Sequence, residues 1–507
     1  MTPIDYRKFK SQSGVGLSRR EWMKKINTST ISGRLERANL SLNFFDCEVF
    51  KMKTSDSRTK LLTERPIPLM ISLCVPAVIG MLVVGLYSFM DGVFVGQMVG
   101  TAGVGAVSVS YPFTLINNGL AIMVGVGSAS VLSRAIGKKD QATVDKIMGN
   151  LIMMIAVCSL IITVIGTVFT RQILLLSGAS GETLSLAVKY LRIVFLGSVF
   201  VNFSQAANMV MRGEGLLKRA MTIMGIGAVL NIVLDPILIS LLNPLGMGIE
   251  AAAYATIFSQ FVQAAITLWY FVKKSKNVRI CKIRFERTLV PEIVGVGISA
   301  MLMQVTTLLQ QTVLYNVAAN YGGDTWQTLL GVALRIQSFA FIPVWGISQG
   351  FQPAAGTNYG AKQYDRVKTL AKVFMIGATL VSLLFYIPIE LAPKAVMSLF
   401  ITDPAIVDQG VANFRIFFSS YILQGSMIVI ITLLQALGRA KKASIMSLLR
   451  QIVLFIPCVM ILPMIADMGI RGVWAAPAVV DVIIFIICAG IAVIEFRRMS
   501  LLKKEVC

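Results

Sequence analysis

IPLMISLCVPAVIGMLVVGLYSFMDG, residues 67–92, is a run of 26 residues with a single charged side chain, Asp91. An α-helix rises about 1.5 Å per residue, so about 20 mostly apolar residues cross the hydrocarbon core of a bilayer. The stretch is therefore long enough and apolar enough to form a membrane-spanning helix. It predicts an integral membrane protein whose fold is all-α.

The whole chain has the same character. Of its 507 residues, 56% are apolar and only 14% are charged, whereas a soluble domain carries roughly 25% charged residues. Hydropathy along the chain predicts twelve membrane-spanning helices. They lie near residues 67–92, 104–131, 147–170, 185–209, 219–241, 250–272, 288–318, 326–353, 368–390, 408–436, 443–465 and 473–494.

The basic residues predict how these helices are oriented. Of the 47 Lys and Arg residues, 39 lie before the first helix, in every second gap between helices, or after the last helix. Cytoplasmic loops carry such an excess of basic residues, so both termini are expected in the cytoplasm of a multi-pass protein of the cell membrane. This distribution also accounts for the net charge of +22 without a nucleic-acid partner.

An internal repeat divides the chain into two halves. A shift of 223 residues places Gly127 on Gly350, Lys139 on Lys362 and Arg192 on Arg415. Six helices per half is an even number, so the repeat is parallel, as in transporters with two six-helix bundles around a central cleft. We predict a disordered cytoplasmic basic tail at 1–66, bundles at 67–272 and 288–495, a cytoplasmic linker at 273–287 and a cytoplasmic tail at 496–507.

The tail contains neither a signal peptide nor a span, because it has no long apolar run. Met52 opens a short polar lead into the first helix, so translation starting at Met52 is one hypothesis for residues 1–51. A real basic tail that touches anionic lipid is the other.

An enzyme is not expected. The chain contains no histidine, which excludes His-ligated metal sites and Ser-His-Asp or Cys-His nucleophiles. It also has no GxxxxGK[ST] phosphate-binding loop, and we predict no cofactor. Any proton chemistry in the membrane must then use carboxylates.

Charged residues inside the predicted spans are candidates for function, because each costs on the order of 2.5–3.5 kcal/mol to insert. The acids are Asp91, Asp235 and Asp481, and the bases are Arg335 and Arg450.

Four polar residues of the first half are expected to converge. Asn231 and Asp235 lie one turn apart on a single helix face, and Asp91 and Thr256 lie at similar depth in the outer half of the membrane. Two carboxylates, an amide and a hydroxyl supply hard oxygen ligands for Na⁺, and paired carboxylates also favour uptake of a proton. The alternative is structural: Asp91 would cap its helix and Asp235 would bond backbone groups at a kink before Pro236.

Arg335, Arg450 and Asp481 in the second half leave two interpretations open. They form either an intramembrane ion pair, which is the more common role of an Arg and an Asp on neighbouring helices, or a contact with a transported substrate.

The chain resembles the multidrug and toxic-compound extrusion (MATE) family of cation-coupled antiporters from about residue 65 to 495. Segments that look like family counterparts are MDGVFVGQMVGTAGVGAVSVSYP (90–112), GVGSASVLSRAIGKKD (125–140), NIVLDPILI (231–239), GMGIEAAAYAT (246–256), ALRIQSFAFIPVWGISQGFQPAAGTNYGAK (333–362), LLRQIVLFIP (448–457) and GVWAAPAVVD (472–481).

The resemblance implies export of small amphipathic, often cationic compounds by alternating access, driven by Na⁺ or H⁺. One branch of the family keeps its cation-binding acids in the first half, and Asp91, Asn231, Asp235 and Thr256 match that branch. A flippase for a lipid-linked or polyanionic substrate of the same superfamily is the main alternative, and a major-facilitator transporter fits the first inner loop poorly. Substrate identity, coupling ion and oligomeric state stay open, with a monomer expected.

Overall fold

The structure is a computed structural model that describes residues 56–275, 277–280, 283–401 and 403–504. Within these ranges the regular structure is entirely helical. Twelve helices, with bends in several of them, account for most of it. They are α1 Pro66–Met98, α2 Thr101–Lys138, α3 Gln141–Leu176, α4 Gly181–Leu196 with Ser198–Gly213, α5 Leu217–Leu242, α6 Gly248–Trp269, α7 and α8 within Val290–Gly360, α9 Tyr364–Leu391, α10 Pro404–Phe418 with Tyr421–Ala436, α11 Ala440–Leu448 with Leu449–Val453 and Phe455–Ile461, and α12 Ile470–Lys504.

Val290–Gly360 is a run of 71 helical residues that cannot be a single span. At about 1.5 Å per residue it would be on the order of 100 Å long, about three times the thickness of the hydrocarbon core. The backbone of Gly323 leaves the helical region, with φ 69° and ψ −165°. The run therefore turns back at Gly323, and it forms α7 (290–322) and α8 (324–360).

The number of spans agrees with the predicted twelve. In the described part of the chain, ten helices are long and apolar enough to cross a membrane, and α4 adds an eleventh that bends by 53°. The division at Gly323 supplies the twelfth. Several helices are longer than predicted: α12 continues to Lys504 rather than ending near residue 494, because the polar residues that follow the apolar run are themselves good helix formers.

Helices α4 and α11 each contain an irregular point, a bend in α4 and a π-helical turn in α11. In α4, Gly197 separates the two segments, and a Cβ there would overlap the side chain of Ile257. In α11, the stretch Leu449–Val453 forms a π-helical turn between Ala440–Leu448 and Phe455–Ile461. Insertions of this kind are frequent at functional sites.

The alternating spans place the predicted cytoplasmic loops at one end of the bundle, which we call the basic end. In the part of the helices that leads to it, α2 packs directly on α7 and α8. A Cβ at Gly127 would overlap the carbonyl oxygen of Ile293, and one at Gly297 would overlap that of Met123. Because only glycine permits such close backbone approach, the two halves are in contact here.

Charged groups and a short helix close the same end. Arg134 on α2 pairs with Glu292 on α7 across 2.6 Å. The predicted disordered tail is ordered from Asp56 onward, while residues 1–55, with the hypothesis of a start at Met52, lie outside the described residues. The short helix Asp56–Thr63 contacts both halves: Arg58 Nε donates to the carbonyl of Ile136 at 3.0 Å, and the carbonyl of Leu61 accepts from Asn358 Nδ2 at 2.9 Å. The basic end is therefore sealed.

The largest buried cluster lies in the second half. Trp474 at its centre is fully buried. Its ring meets those of Trp326 and Phe417 edge to face, with centroids 6.1 Å and 5.8 Å apart. This packing fixes α12 against α8 and α10, and so fixes one wall of the central cavity.

Candidate functional site

The four polar residues predicted to converge in the first half lie together. Asn231 Nδ2 on α5 donates to Asp235 Oδ1 at 3.1 Å and lies 3.4 Å from Thr256 Oγ1 on α6. The carboxyl groups of Asp91 on α1 and Asp235 lie close enough to share a hydrogen bond when one of them is protonated. We call these four residues the acid cluster.

The acid cluster contains buried oxygens that lack a donor. Asp235 is fully buried and Asn231 is 2% exposed. Among the described residues, no hydrogen bond reaches Asp235 Oδ2 or Asn231 Oδ1. Buried polar atoms are nearly always paired in folded proteins, so these two oxygens are available to bind a cation, and the carboxyl oxygen of Asp235 is also available to take up a proton.

The acid cluster offers oxygen ligands for a small cation. The cluster has two carboxylates, and the described residues contain no group of three or more His, Cys, Asp or Glu side chains placed to hold a metal. Two carboxylates, an amide oxygen and a hydroxyl are the oxygen ligands that a hard cation such as Na⁺ takes, and the same carboxylates bind H⁺.

The structural alternative for Asp91 does not fit the helix. Helix α1 continues to Met98, about two turns beyond Asp91. Asp91 therefore lies inside the helix rather than capping its end. Asp235 is followed by Pro236 within α5 as predicted, but its described side-chain hydrogen bond comes from Asn231.

Two tyrosines near the cluster were not predicted. Tyr87 lies one turn before Asp91 on α1, and Tyr190 lies on α4; each is close enough to interact electrostatically with both carboxyl groups. The spacing of Tyr87 from Asp91 is a signal that the sequence contains. Nothing in the sequence indicates that Tyr190 faces them.

A cavity of about 550 Å³ lies between the two halves, beyond the sealed region. Helices α1 and α2 of the first half and α7, α8, α10, α11 and α12 of the second contribute to its wall. Ser88 on α1 lines it three residues before Asp91, so the acid cluster and the cavity share helix α1, although none of the four cluster residues is among the lining residues. Six lining residues are glutamines: Gln304, Gln310, Gln311, Gln337, Gln424 and Gln451.

The charged residues predicted in the second half separate into a pair and a single residue. Arg450 Nη2 lies 3.1 Å from Asp481 Oδ1, and both residues line the cavity. Arg335 on α8 is exposed and lies near Tyr315, not with the pair.

Comparisons with known proteins agree with this architecture. The sequence profile of the MatE family matches residues 76–237 and 299–461, two segments that begin 223 residues apart. The "Multidrug export protein MepA" of Staphylococcus aureus (strain MRSA252) is 28% identical over 408 residues, which cover 80% of this chain and 88% of MepA. A "FAD transporter" of Shewanella oneidensis is 24% identical over 83% of this chain and 93% of that protein.

A solved structure is similar over the same length. The outward-facing conformation of a multidrug resistance MATE family transporter of the MOP superfamily superposes with a TM-score of 0.82 and 26% identity, over 89% of this chain and all of that one. The two profile matches together cover more than half of the chain. The chain therefore belongs to the MatE family, whose members are membrane transporters and not enzymes.

Proposed function

We propose that this transporter is a cation-coupled antiporter that exports small amphipathic, often cationic compounds by alternating access. The observation that carries the proposal is the acid cluster: two carboxyl groups and two donor-free oxygens, Asn231 Oδ1 and Asp235 Oδ2, tied through α1 to a cavity between two six-helix halves. A chain that keeps such costly groups inside the membrane uses them. The similarity to a multidrug export protein supports the class of cargo.

The basic end faces the cytoplasm in this proposal, because loops rich in Lys and Arg stay on that side. The seal formed by Gly127, Gly297 and the Arg134–Glu292 pair then closes the cytoplasmic side. The cavity lies in the middle and far half of the helices and faces away from that seal. This is the arrangement from which cargo leaves and a cation enters, and the similarity to an outward-facing structure supports it.

The cation acts at Asp91 and Asp235. With both carboxylates ionised and close together, their repulsion opposes a compact arrangement of α1 against α5; a bound Na⁺ or H⁺ removes one charge and favours it. Asn231 and Thr256 connect the same site to α6. Cation binding thus changes the packing of α1, α5 and α6, and α1 also lines the cavity through Met81, Val84 and Ser88.

Coupling requires that the cation and the cargo prefer different states. A ligand that binds two states equally shifts neither, and moving a population from 1:99 to 99:1 takes a difference in affinity of about 10⁴-fold. Cation entry from outside favours the state with a loosely held cargo, and cargo binding from the cytoplasm favours the state that releases the cation. Exchange follows from this competition.

The flippase alternative is less well supported by the cavity. A lipid-linked or polyanionic substrate needs several basic side chains along the cleft, and among the described lining residues Arg450 is the one basic side chain. It is already paired with Asp481. The apolar and glutamine-rich remainder suits the body of a small amphipathic compound.

The test is efflux of ethidium from vesicles that contain the purified protein, with a Na⁺ gradient and a pH gradient imposed separately. We expect one or both gradients to drive transport in the wild type, and Asp235→Asn to abolish gradient-driven transport. Asp408→Asn, which alters an exposed surface pair with Lys394, is the control and keeps wild-type transport. Gradient-driven transport at the wild-type rate by both Asp235→Asn and Asp91→Asn would refute the site. Absence of any gradient-driven transport by the wild type would refute the coupled antiporter.

A further inference from the structure

The cavity wall carries one acid and one base among its described lining residues, and they contact each other. Arg450 reaches Asp481 Oδ1 with two nitrogens, Nη2 at 3.1 Å and Nε at 3.2 Å. An ion pair between α11 and α12 would serve packing equally well if it faced the protein interior. This pair instead lies on the surface that a cargo touches.

The two partners are held differently. The other oxygen of Asp481, Oδ2, accepts from Gln424 Nε2 at 3.1 Å, and Ser420 Oγ lies 3.5 Å away. The Asp481 side chain is 8% exposed and the Arg450 side chain 19%. Asp481 is therefore fixed from α10, whereas Arg450 is held at a single carboxylate oxygen and does not form the stronger two-oxygen fork.

The π-helical turn Leu449–Val453 of α11 carries two polar side chains of the cavity wall. Arg450 and Gln451 are neighbours in sequence, yet both line the cavity. Gln451 also contacts the hydroxyl of Thr306 on α7. Arg450 thus belongs to an irregular turn of the cavity wall, next to a glutamine that contacts α7.

Electrostatics then restricts which cargo displaces the partners of this pair from each other. A cation that takes Asp481 from Arg450 leaves an unpaired guanidinium in a region of low dielectric, and an anion that takes Arg450 leaves an unpaired carboxylate. Breaking a buried pair in this way is strongly unfavourable. A molecule with an ammonium next to a carboxylate supplies a new partner to each residue: its carboxylate pairs with Arg450 and its ammonium with Asp481. The two charges of the cargo and the two of the protein then alternate in sign, and none is left unpaired.

We propose that the Arg450–Asp481 pair is a subsite for zwitterionic amphipaths, in which Arg450 binds the carboxylate and Asp481 binds the ammonium. The inference rests on the transport function proposed above and names a substrate class for the same cavity. The body of the cargo lies against the remaining wall, where Phe341, Trp345 and Phe455 offer apolar surface and the glutamines offer hydrogen bonds.

Three fluorescent probes that differ only in charge test the subsite. Nε-dansyl-lysine carries an adjacent ammonium and carboxylate, its methyl ester is a cation, and its Nα-acetyl derivative is an anion. Binding to the purified full-length protein is measured as energy transfer from tryptophan to dansyl, for which Trp345 lies in the cavity wall. We expect the wild type to bind the zwitterion at least tenfold more tightly than either analogue; equal affinity for all three probes would overturn the proposal.

The decisive variant removes both charges together, R450Q/D481N, because it leaves no unpaired charge. We expect this variant to bind the three probes with affinities that agree within about twofold. Binding of the zwitterion should weaken most, and the melting temperature should stay close to that of wild type. The matched control is K394Q/D408N, an exposed ion pair of 2.7 Å on the surface of the second half, which keeps the tenfold preference. A tenfold preference that persists in R450Q/D481N would overturn the proposal.

Failure of this inference and failure of the transport function are separable. Binding is measured without a gradient, so a preference for the zwitterion with no driven transport refutes antiport and leaves the subsite standing. Gradient-driven transport of all three probes at equal rates, with equal affinities, refutes the subsite and leaves antiport standing.

Discussion

Asn231 Nδ2 donates to Asp235 Oδ1 across 3.1 Å, one turn apart on α5, and the same nitrogen lies 3.4 Å from the hydroxyl of Thr256 on α6. The amide thus orients the buried carboxylate and connects two helices. Its own oxygen, Oδ1, is buried and receives no hydrogen bond from the described residues. That relationship makes Asn231 a positioning residue and a candidate ligand at once.

Asn231→Ala should weaken binding of the coupling cation without unfolding the protein. The change removes one ligand oxygen and leaves Asp235 Oδ1 without its donor, a loss on the order of 1–3 kcal/mol. We expect the cation concentration for half-maximal transport to rise about tenfold or more. The control is Thr222→Ala on the same helix, where the side chain is exposed; an unchanged half-maximal concentration in Asn231→Ala would contradict the assignment.

Gly297→Ala should open the seal at the basic end. The added methyl would overlap the carbonyl oxygen of Met123, so α7 must move away from α2. Overpacking of this kind costs about 1–3 kcal/mol. We expect a lower melting temperature and less transport, whereas Gly490→Ala on α12, where a Cβ meets no atom within 4 Å, leaves both unchanged. Equal behaviour of the two variants would show that the contact does not hold the halves together.

The helix Asp56–Thr63 should contribute to stability because it bridges the halves. Leu61 is 1% exposed and its backbone oxygen accepts from Asn358. Leu61→Ala removes a buried side chain at a cost of about 2–5 kcal/mol, so we expect a clear fall in melting temperature. Thr59→Ala changes an exposed residue of the same helix and serves as the control. If Leu61→Ala melted like Thr59→Ala, the helix would not be docked in solution.

Glu214 predicts a pH dependence at the basic end. It lies in the connection between α4 and α5, and burial raises its pKa to about 7, against a hydrogen bond from Asn277 and the charge of Arg219, which lower it. Tyr270, which Arg219 Nη1 contacts at 3.1 Å, lies near the same carboxyl. The unfolded chain releases this proton near pH 4.5 and the folded chain near pH 7, so stability falls as pH rises between these values and is level above them.

Glu214→Gln tests that slope, since glutamine keeps an acceptor for Asn277 and does not ionise. Above pH 7 we expect the variant to be more stable than wild type by roughly 3 kcal/mol, and below pH 4.5 the two should converge. Melting temperatures in detergent at pH 4, 5, 6, 7 and 8 measure the difference between the two proteins. A difference that does not change with pH would contradict the role of Glu214.

Periodicity and charge predict the spans because both are one-dimensional properties of a chain in a bilayer. Twelve spans, the parallel repeat and the four residues of the acid cluster follow from them, and the structure places those four side chains together. The lengths of α1 and α12 do not follow, because a helix continues past the hydrocarbon for as long as its residues favour it.

Rotation of each helix about its axis is what the sequence leaves undetermined. Arg335 shares its depth with other cavity residues, yet it is exposed near Tyr315, while Arg450 meets Asp481. Tyr190 faces the acid cluster only because the bent α4 packs there, and the contact of Gly297 with Met123 depends on two helices from different halves. Such neighbours are selected by tertiary packing, which hydropathy does not encode.

The central claim is that one cation at Asp91 and Asp235 competes with cargo. The most direct measurement is cation release on addition of cargo to the purified protein, followed as displaced ²²Na⁺ and, in weakly buffered solution, as released H⁺. The account predicts about one cation released per wild-type protein and none in Asp91→Asn/Asp235→Asn, with K394Q/D408N as a control that behaves like wild type. Release of the wild-type amount from the doubly neutralised protein would contradict the account.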